Sequence, residues 1–356
     1  MHVVMLSTDQ TVFDPASPVR ARMEEYARAF GTLSIIVLCL RAPGRREAVG
    51  EALFIYPTNS FSRLFSLRDA VRIAKRVEKA DVVTAQDPFE TGLAGYWISQ
   101  SLGIPLHVQV HTNFLASGFS REHWPLNPIR MMIAGFVLPR AAGIRAVSGT
   151  IKKAIETRYR PNAAISVLPI FVDLGKFRRV VKTKHPKFGT ALLVVSRLES
   201  EKRVDLAIRA LKRVRDAGFD AGLTVVGSGS EEGRLKREAE RLHLSEWVEF
   251  AGFQNNLAPY YAVADVFLYP GAPYEGYGMA ILEALAAGVP VLAEDVGIAR
   301  RAGAEIAEGD FGEALVAFLR RGVTKGKLLY EPYTSKEEYL KKLSEDLRLS
   351  YPKLSA

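Results

Sequence analysis

The sequence predicts an α/β protein built from two doubly wound domains in tandem. Three observations predict it. The chain has 356 residues, more than one hydrophobic core usually supports. Short runs rich in Val, Ile and Leu alternate with longer segments of helical period, the pattern of parallel β/α units. After a polar, basic stretch at 176–189 the same rhythm starts again.

In order, a strand at 2–6 is followed by a helix at 19–30 and a strand at 33–40. Strands at 81–84, 106–110 and 143–147 each lead into turn residues and helical pattern, and Ser148 is placed to cap a helix over 151–158. The segment 165–173 closes the first set. In the second set, strands at 191–196, 223–226, 248–250, 266–269 and 289–293 alternate with helices at 204–217, 231–242 and 278–287. The expected domains are therefore 1–172 and 173–334, with a helical segment in 335–356. Ligands of such sheets gather beyond the carboxyl ends of the strands, so two domains facing each other across a cleft are expected to bind there.

Composition narrows the class. With 48% hydrophobic and 24% charged residues, the chain is folded rather than disordered. Residues 1–6 lack the features of a signal peptide, and no uncharged apolar run reaches 18 residues, so no membrane-spanning helix is expected. A single cysteine, Cys39 in an apolar run, excludes a disulfide framework and fits a reducing, cytoplasmic setting. Most of the net charge of +9 resides in the first half, with 20 Lys/Arg against 13 Asp/Glu in 1–172 and 28 against 26 in 173–356. Its densest parts are 63–79 (Arg63, Arg68, Arg72, Lys75, Arg76 and Lys79 against Asp69 and Glu78) and 130–160. Such a face is an ordinary solvated surface or an attraction for anionic lipid, phosphorylated acceptors or nucleic acid. Leu64, Leu67, Val71 and Ala74 stand at helical spacing beside the cations, which favours a membrane surface. The basic stretches lack interleaved aromatics, so no specific nucleic-acid partner is expected.

The chemistry concentrates in 273–291. A strand ends at Tyr269, a glycine-rich loop follows, and a helix begins near Gly278 and stops at Gly288. Free N–H groups at that helix start make an anion site, and Gly276 and Gly278 leave room for a diphosphate to approach. Glu275 and Glu283 are eight residues apart, about 10 Å along a helix. That is too far for one metal ion and suits the two ends of one extended ligand. Glu-Gly-aromatic-Gly with a second Glu eight residues after the first strongly resembles the donor site of retaining glycosyltransferases of family GT4, which have the GT-B fold of two Rossmann-like domains.

The resemblance implies that Glu275 meets the sugar hydroxyls and Glu283 the ribose. The backbone of Gly276, Tyr277, Gly278, Met279, Ala280 and Ile281 would lie along the diphosphate. In Ser196-Arg197-Leu198-Glu199-Ser200-Glu201-Lys202-Arg203, a strand runs into a helix start where cations are disfavoured unless an anion offsets them. By resemblance Arg197 and Lys202 face the donor diphosphate, whereas Arg203 is read as a surface residue. Gly227-Ser228-Gly229 fails as a dinucleotide fingerprint because Glu232 stands where a third glycine is required; by resemblance Gly227 and Gly229 lie near the nucleotide. The loop bearing Phe253 is a plain turn or, by resemblance, a contact to the base. His111, ending a buried strand, is a structural histidine or the one the family places beside the transferred sugar, and Asp87 is a weaker candidate for the same cleft. The loop 8–18 contains no glycine where the family often has a Gly-Gly pair.

The expected function is thus transfer of a hexose-type sugar from a UDP- or GDP-sugar to a sugar or lipid-linked acceptor, catalysed by Arg197, Lys202, Glu275 and His111. Retention is implied by resemblance. No Asp-x-Asp cluster is present, so no metal or other cofactor is expected and the cations take that role. The alternatives are a GT-B-fold sugar-nucleotide epimerase and a non-catalytic membrane- or nucleic-acid-binding protein. A cytoplasmic protein, peripheral on the inner face of the membrane, fits these features. By resemblance, residues 335–349 cross back to the first domain.

Overall fold

The computed structural model describes residues 1–42, 47–77, 79–122 and 125–350. They form two compact units. Among the described residues, one contains those of 1–115, 119–169 and 335–350; the other contains Ala116–Gly118 and Ile170–Thr334. The division falls between Pro169 and Ile170, against the sequence-based boundary after Val172. Arg145, buried in the first unit, donates to the Leu168 and Pro169 carbonyls at 2.9 and 3.2 Å and holds the chain there up to Pro169.

The first unit runs β1 (His2–Ser7), α1 (Pro18–Phe30), β2 (Thr32–Val37), β3 (Glu47–Val49), β4 (Leu53–Pro57), α2 (Arg63–Ala74), β5 (Val82–Ala85), α3 (Glu90–Leu102), β6 (Leu106–Val110), α4 (Leu126–Val137), β7 (Gly143–Ala146), α5 (Gly149–Tyr159) and β8 (Ile165–Val167). Its strand order is β3-β4-β2-β1-β5-β6-β7-β8, parallel except for β3 against β4. In the centre, Leu6 pairs with Ile36 on one side and Ala85 on the other. Val3, Val4, Leu6, Ile36 and Val83 are fully buried, as strands covered on both faces must be. The short β4, with its pattern LFIYP, and the three-residue β3 escape the sequence reading.

The glycine-free loop after β1 closes by side chains. Asp9 accepts from the Thr11 amide at 2.9 Å, and the Ser17 hydroxyl donates to the Thr11 carbonyl at 2.6 Å. Ser17 then caps α1, with Pro18 in its first turn. Ser148 caps α5 as its position predicts.

The second unit runs α6 (Gly175–Arg178), β9 (Thr190–Val195), α7 (Val204–Asp216), β10 (Ala221–Val226), α8 (Glu232–Arg241), β11 (Val248–Gly252), α9 (Ala258–Val263), β12 (Val266–Tyr269), α10 (Met279–Ala286), β13 (Val291–Ala293), α11 (Ala299–Ala302), β14 (Glu305–Ile306) and α12 (Phe311–Arg320). Its sheet is parallel throughout, in the order β11-β10-β9-β12-β13-β14. Along α7, Val204, Ala207, Ile208, Leu211 and Val214 form the buried face, packed with Leu315 and Phe318 of α12. The basic stretch that opens this unit is partly structural. Lys182 bonds the Tyr261 and Ala264 carbonyls at the end of α9, and desolvation there lowers its pKa against the opposing charge of Asp265.

The chain then returns to the first unit as α13 (Lys336–Leu349), capped by Ser335. Tyr339 meets the Tyr26 hydroxyl at 2.7 Å and Arg145 Nη2 at 3.3 Å. Asp346 pairs with the fully buried His107 at 3.0 Å, and the other ring nitrogen of His107 meets Thr84 at 2.9 Å.

Candidate active site

The site is built on strand ends of the second unit. Beyond β9, the Ser196 amide bonds the Val226 carbonyl at 3.0 Å and the Leu198 amide bonds Ser228 at 2.9 Å. The two loops lie so close that a Cβ at Gly227 would stand 1.8 Å from the Ser196 carbonyl oxygen, and one at Gly229 2.3 Å from that of Leu198. Gly227 also has φ +138°. Their lack of side chains is therefore demanded by chain packing within the protein. The Gly227 amide bonds Gly252 at 2.8 Å, setting the β11 loop beside them, where Phe253 is 67% exposed.

Next comes a 3-10 turn, Ser200–Lys202, and then Arg203 in the left-handed conformation (φ +48°) as the uncapped start of α7. Arg197 is largely exposed and pairs with Glu201 at 2.9 Å. Lys202 is largely buried and ion-pairs with Glu275, and both keep only about one-sixth of their side chains accessible, 16% and 15%. The anion that offsets a lysine at this helix start is thus the protein's own glutamate. The resemblance assigns the two residues to separate parts of a ligand, the diphosphate and the sugar, whereas the fold joins them across 73 positions. Arg203, read from the sequence as a surface residue, is half-buried and lies 3.8 Å from Glu294. Glu294 is an acid that the sequence reading misses, its carboxyl raised by burial against the opposing charge of Arg203.

Glu275 stands in the loop, and α10 begins four residues later. Burial would raise its carboxyl, but the Lys202 charge and hydrogen bonds from Lys202, the Tyr269 hydroxyl and the Tyr277 amide outweigh it and hold the pKa below the usual range. Gly278 (φ +93°) starts α10 with no side-chain cap and no acidic residue in the first turn, which leaves the dipole open to an external anion. The Ile281 amide is already spent on the Gly278 carbonyl at 3.1 Å, so of the amides the sequence suggests, those nearest Gly278 are the better donors. The loop after β13 braces this turn. The Ile298 amide donates to the Tyr277 carbonyl at 3.0 Å, and a Cβ at Gly297 would stand 2.4 Å from the same oxygen. Met279 is exposed, while Gly276 and Tyr277 are buried.

Glu283 lies inside α10 and accepts from the buried Tyr261 hydroxyl at 3.0 Å. Burial raises its carboxyl despite that bond and the charge of Lys176. Glu275 and Glu283 therefore have separate partners and opposite pKa directions, as two differently employed carboxylates should.

In the first unit, His111 follows β6. Its Nε2 is buried with no hydrogen-bond partner among the described residues. Burial, with the positive charges of Arg145 and Arg22, pushes its pKa down to about 3, so the imidazole is neutral at pH 7. Asp87 accepts from the Phe89 amide at 2.7 Å and is bonded to Thr91, closing the turn into α3. Its carboxylate is spent on that turn, and burial raises its pKa to about 6.

The basic segment also differs from its sequence reading. Ala74, the last residue of the expected apolar stripe, is fully buried, as is Ala70 one turn before it, so that end of α2 faces inward. The exposed apolar residues cluster at the start of α2 instead: Phe61 (94%), Leu64 (82%) and Phe65. Arg63, Arg68, Arg72, Lys75 and Arg76 remain outside, and Glu78 lies outside the described residues. Among the described residues no helix is long and apolar enough to cross a membrane, and no group of three or more His, Cys, Asp or Glu is placed to hold a metal ion.

Residues 177–308 match the model of "Glycosyl transferases group 1", and residues 21–176 match that of "Glycosyltransferase Family 4". Over 243 residues the chain is 29% identical to alpha-monoglucosyldiacylglycerol synthase of Streptococcus pneumoniae, covering 63% of this chain and 54% of that protein. Over 134 residues it is 40% identical to a GDP-mannose-dependent alpha-(1-6)-phosphatidylinositol dimannoside mannosyltransferase of Mycobacterium tuberculosis, covering 35% and 34%. The chain spans about half the length, or less, of these curated relatives. Among solved structures, sucrose-phosphate synthase of Thermosynechococcus elongatus matches with a TM-score of 0.73 at 16% identity, covering 98% of this chain and 94% of that one. Anabaena Alr3699/HepE, in complex with UDP and glucose, matches with a TM-score of 0.69 at 16% identity and the same coverage. The fold is GT-B, and with its two halves matched by the two family models the chain belongs to the family 4 glycosyltransferases.

Proposed function

We propose that the chain moves a hexose-type sugar from a nucleotide diphosphate donor to a lipid-borne acceptor, with retention and without a metal ion. One observation carries the donor reading: a buried lysine, Lys202, paired to Glu275 beside a glycine-led, uncapped helix start. A diphosphate at the Gly278 amides gives Lys202 a second anion to serve. As the sugar bond breaks, charge grows on the leaving diphosphate, and preset donors lower that barrier. Lys202 and the Gly278–Ala280 amides supply them, and Arg197, exposed on the same loop, swings from Glu201 to join. Glu275, kept ionised, accepts from the sugar hydroxyls. Glu283 accepts from the ribose, and Phe253 with the Gly227–Gly229 turn meets the base.

The acceptor reading is supported by the names of the relatives, a glucosyldiacylglycerol synthase and phosphatidylinositol mannoside mannosyltransferases. It is also supported by Phe61, Leu64 and Phe65 standing exposed among arginines, which suits peripheral binding to an anionic, inner-face membrane. Calorimetry with a panel of UDP- and GDP-sugars, followed by transfer assays with and without EDTA, tests the donor and metal-free parts. Absence of binding by every donor would sink the reading. Vesicle co-sedimentation that ignores anionic lipid content, or is unchanged by Phe61→Ser with Leu64→Ser, refutes the membrane part.

A further inference from the structure

Tyr269 ends β12 and is almost wholly buried. The glycine loop folds over its ring. A Cβ at Gly271 would stand 3.1 Å from its Cε1, and one at Gly278 3.7 Å from its Cζ. On the strand side, the Glu294 amide donates to its carbonyl at 3.0 Å, fixing the backbone that carries it. A leucine would fill a buried strand position equally well, so core packing alone does not account for a phenol here. A buried hydroxyl requires a partner, and this one is the Glu275 carboxylate.

We infer that Tyr269 is a positioning residue for sugar transfer: its hydroxyl, with Lys202 and the Tyr277 amide, fixes the Glu275 carboxylate in one orientation toward the donor sugar. An ionised carboxylate accepts at about four lone-pair directions. Three protein donors occupy three of them, which leaves one direction free, and its aim is set by the other three. Burial and the neighbouring carboxylate push the phenol pKa well up, so Tyr269 stays a donor across the working pH range. A carboxylate left to rotate spends less of its time aimed at the reacting sugar, and the loss falls on turnover rather than on nucleotide binding.

The inference rests on the donor-site reading above, and its test separates the two. Tyr269→Phe and Tyr269→Leu are compared with the wild-type chain for kcat, donor KM and the pH dependence of kcat, and the Glu275 titration is followed by carbon-13 NMR. The expected result for Tyr269→Phe is a fall in kcat of about tenfold, donor KM within about twofold, and an acid limb of the kcat profile moved to higher pH. The Glu275 titration moves the same way. Wild-type kcat and an unmoved Glu275 titration in Tyr269→Phe overturn the inference while leaving the donor site intact. A loss seen only in Tyr269→Leu also overturns it, because the ring and not the hydroxyl would then matter. If the wild-type chain binds no sugar nucleotide, the donor reading fails and the inference falls with it.

Discussion

Replacing Lys202 by Ala strips Glu275 of its counter-charge. Its partner then sits with 15% of its side chain accessible and no opposing cation. Removing one member of a buried pair costs about 3–5 kcal/mol; because both side chains here keep some solvent, about 2–3 kcal/mol is expected. For a unit of this size that lowers Tm by roughly 5–10 °C. The sign of the pH dependence also changes. In the wild-type chain the Glu275 pKa is depressed, so its contribution is present above the unfolded carboxylate pKa and is lost as pH falls through the folded value. In Lys202→Ala burial dominates, the pKa is raised, and the contribution is lost as pH rises instead. Turnover should fall by about 10²–10³ through loss of charge stabilisation on the leaving diphosphate. The assay is a double-mutant cycle with Glu275→Gln, in urea at several pH values. A coupling energy below about 0.5 kcal/mol, with the two losses simply additive, refutes the ion pair as the organiser of the site.

Three further outcomes are expected. Gly227→Ala forces a Cβ to within 1.8 Å of the Ser196 oxygen and should cost about 3 kcal/mol or more in urea unfolding, independent of any ligand. Asp87, raised to about 6 by burial, contributes stability that is present below the unfolded carboxylate pKa and lost as pH rises through 6. Asp87→Asn keeps the acceptor for Phe89 and should gain about 1–2 kcal/mol over wild type at pH 7.5 but not at pH 4. His111, lowered to about 3, should show no imidazole titration by NMR between pH 5 and 8; a midpoint near 6.5 would contradict its burial among arginines.

The parallel strands were legible because strands buried on both faces read as unbroken Val, Ile and Leu runs, as in β1, β2 and β9. β14 was not, since two residues carry no periodicity. Buried charges were also hidden. Arg20, almost fully enclosed against the Val12 carbonyl and Glu47, and Arg145 inside β7 both violate the pattern that locates cores. In the candidate site, local spacing marks Glu275, Glu283 and the glycine-led helix start, because those residues lie within a few turns of one another. Pairings set by strand order are invisible locally. β9 lies next to β12, which is why Lys202 reaches Glu275, and β13 lies next to β12, which brings Glu294 to Tyr269. The glycines at 227 and 229 were found for a ligand-based reason, and the Ser196 and Leu198 carbonyls supply a different one.

The return of α13 to the first unit bears on the order in which the chain is made. Translation delivers β6 and β7 early, with His107 and Arg145 inside them, but Asp346 and Tyr339 emerge only after residues 170–334 have been synthesised. Until then two basic side chains destined for the interior lack the acid and the phenol that hold them. A released chain ending at Thr334 should therefore carry an unfinished N-terminal half and a second unit that has all of its own residues, with protease resistance greater in the second than in the first.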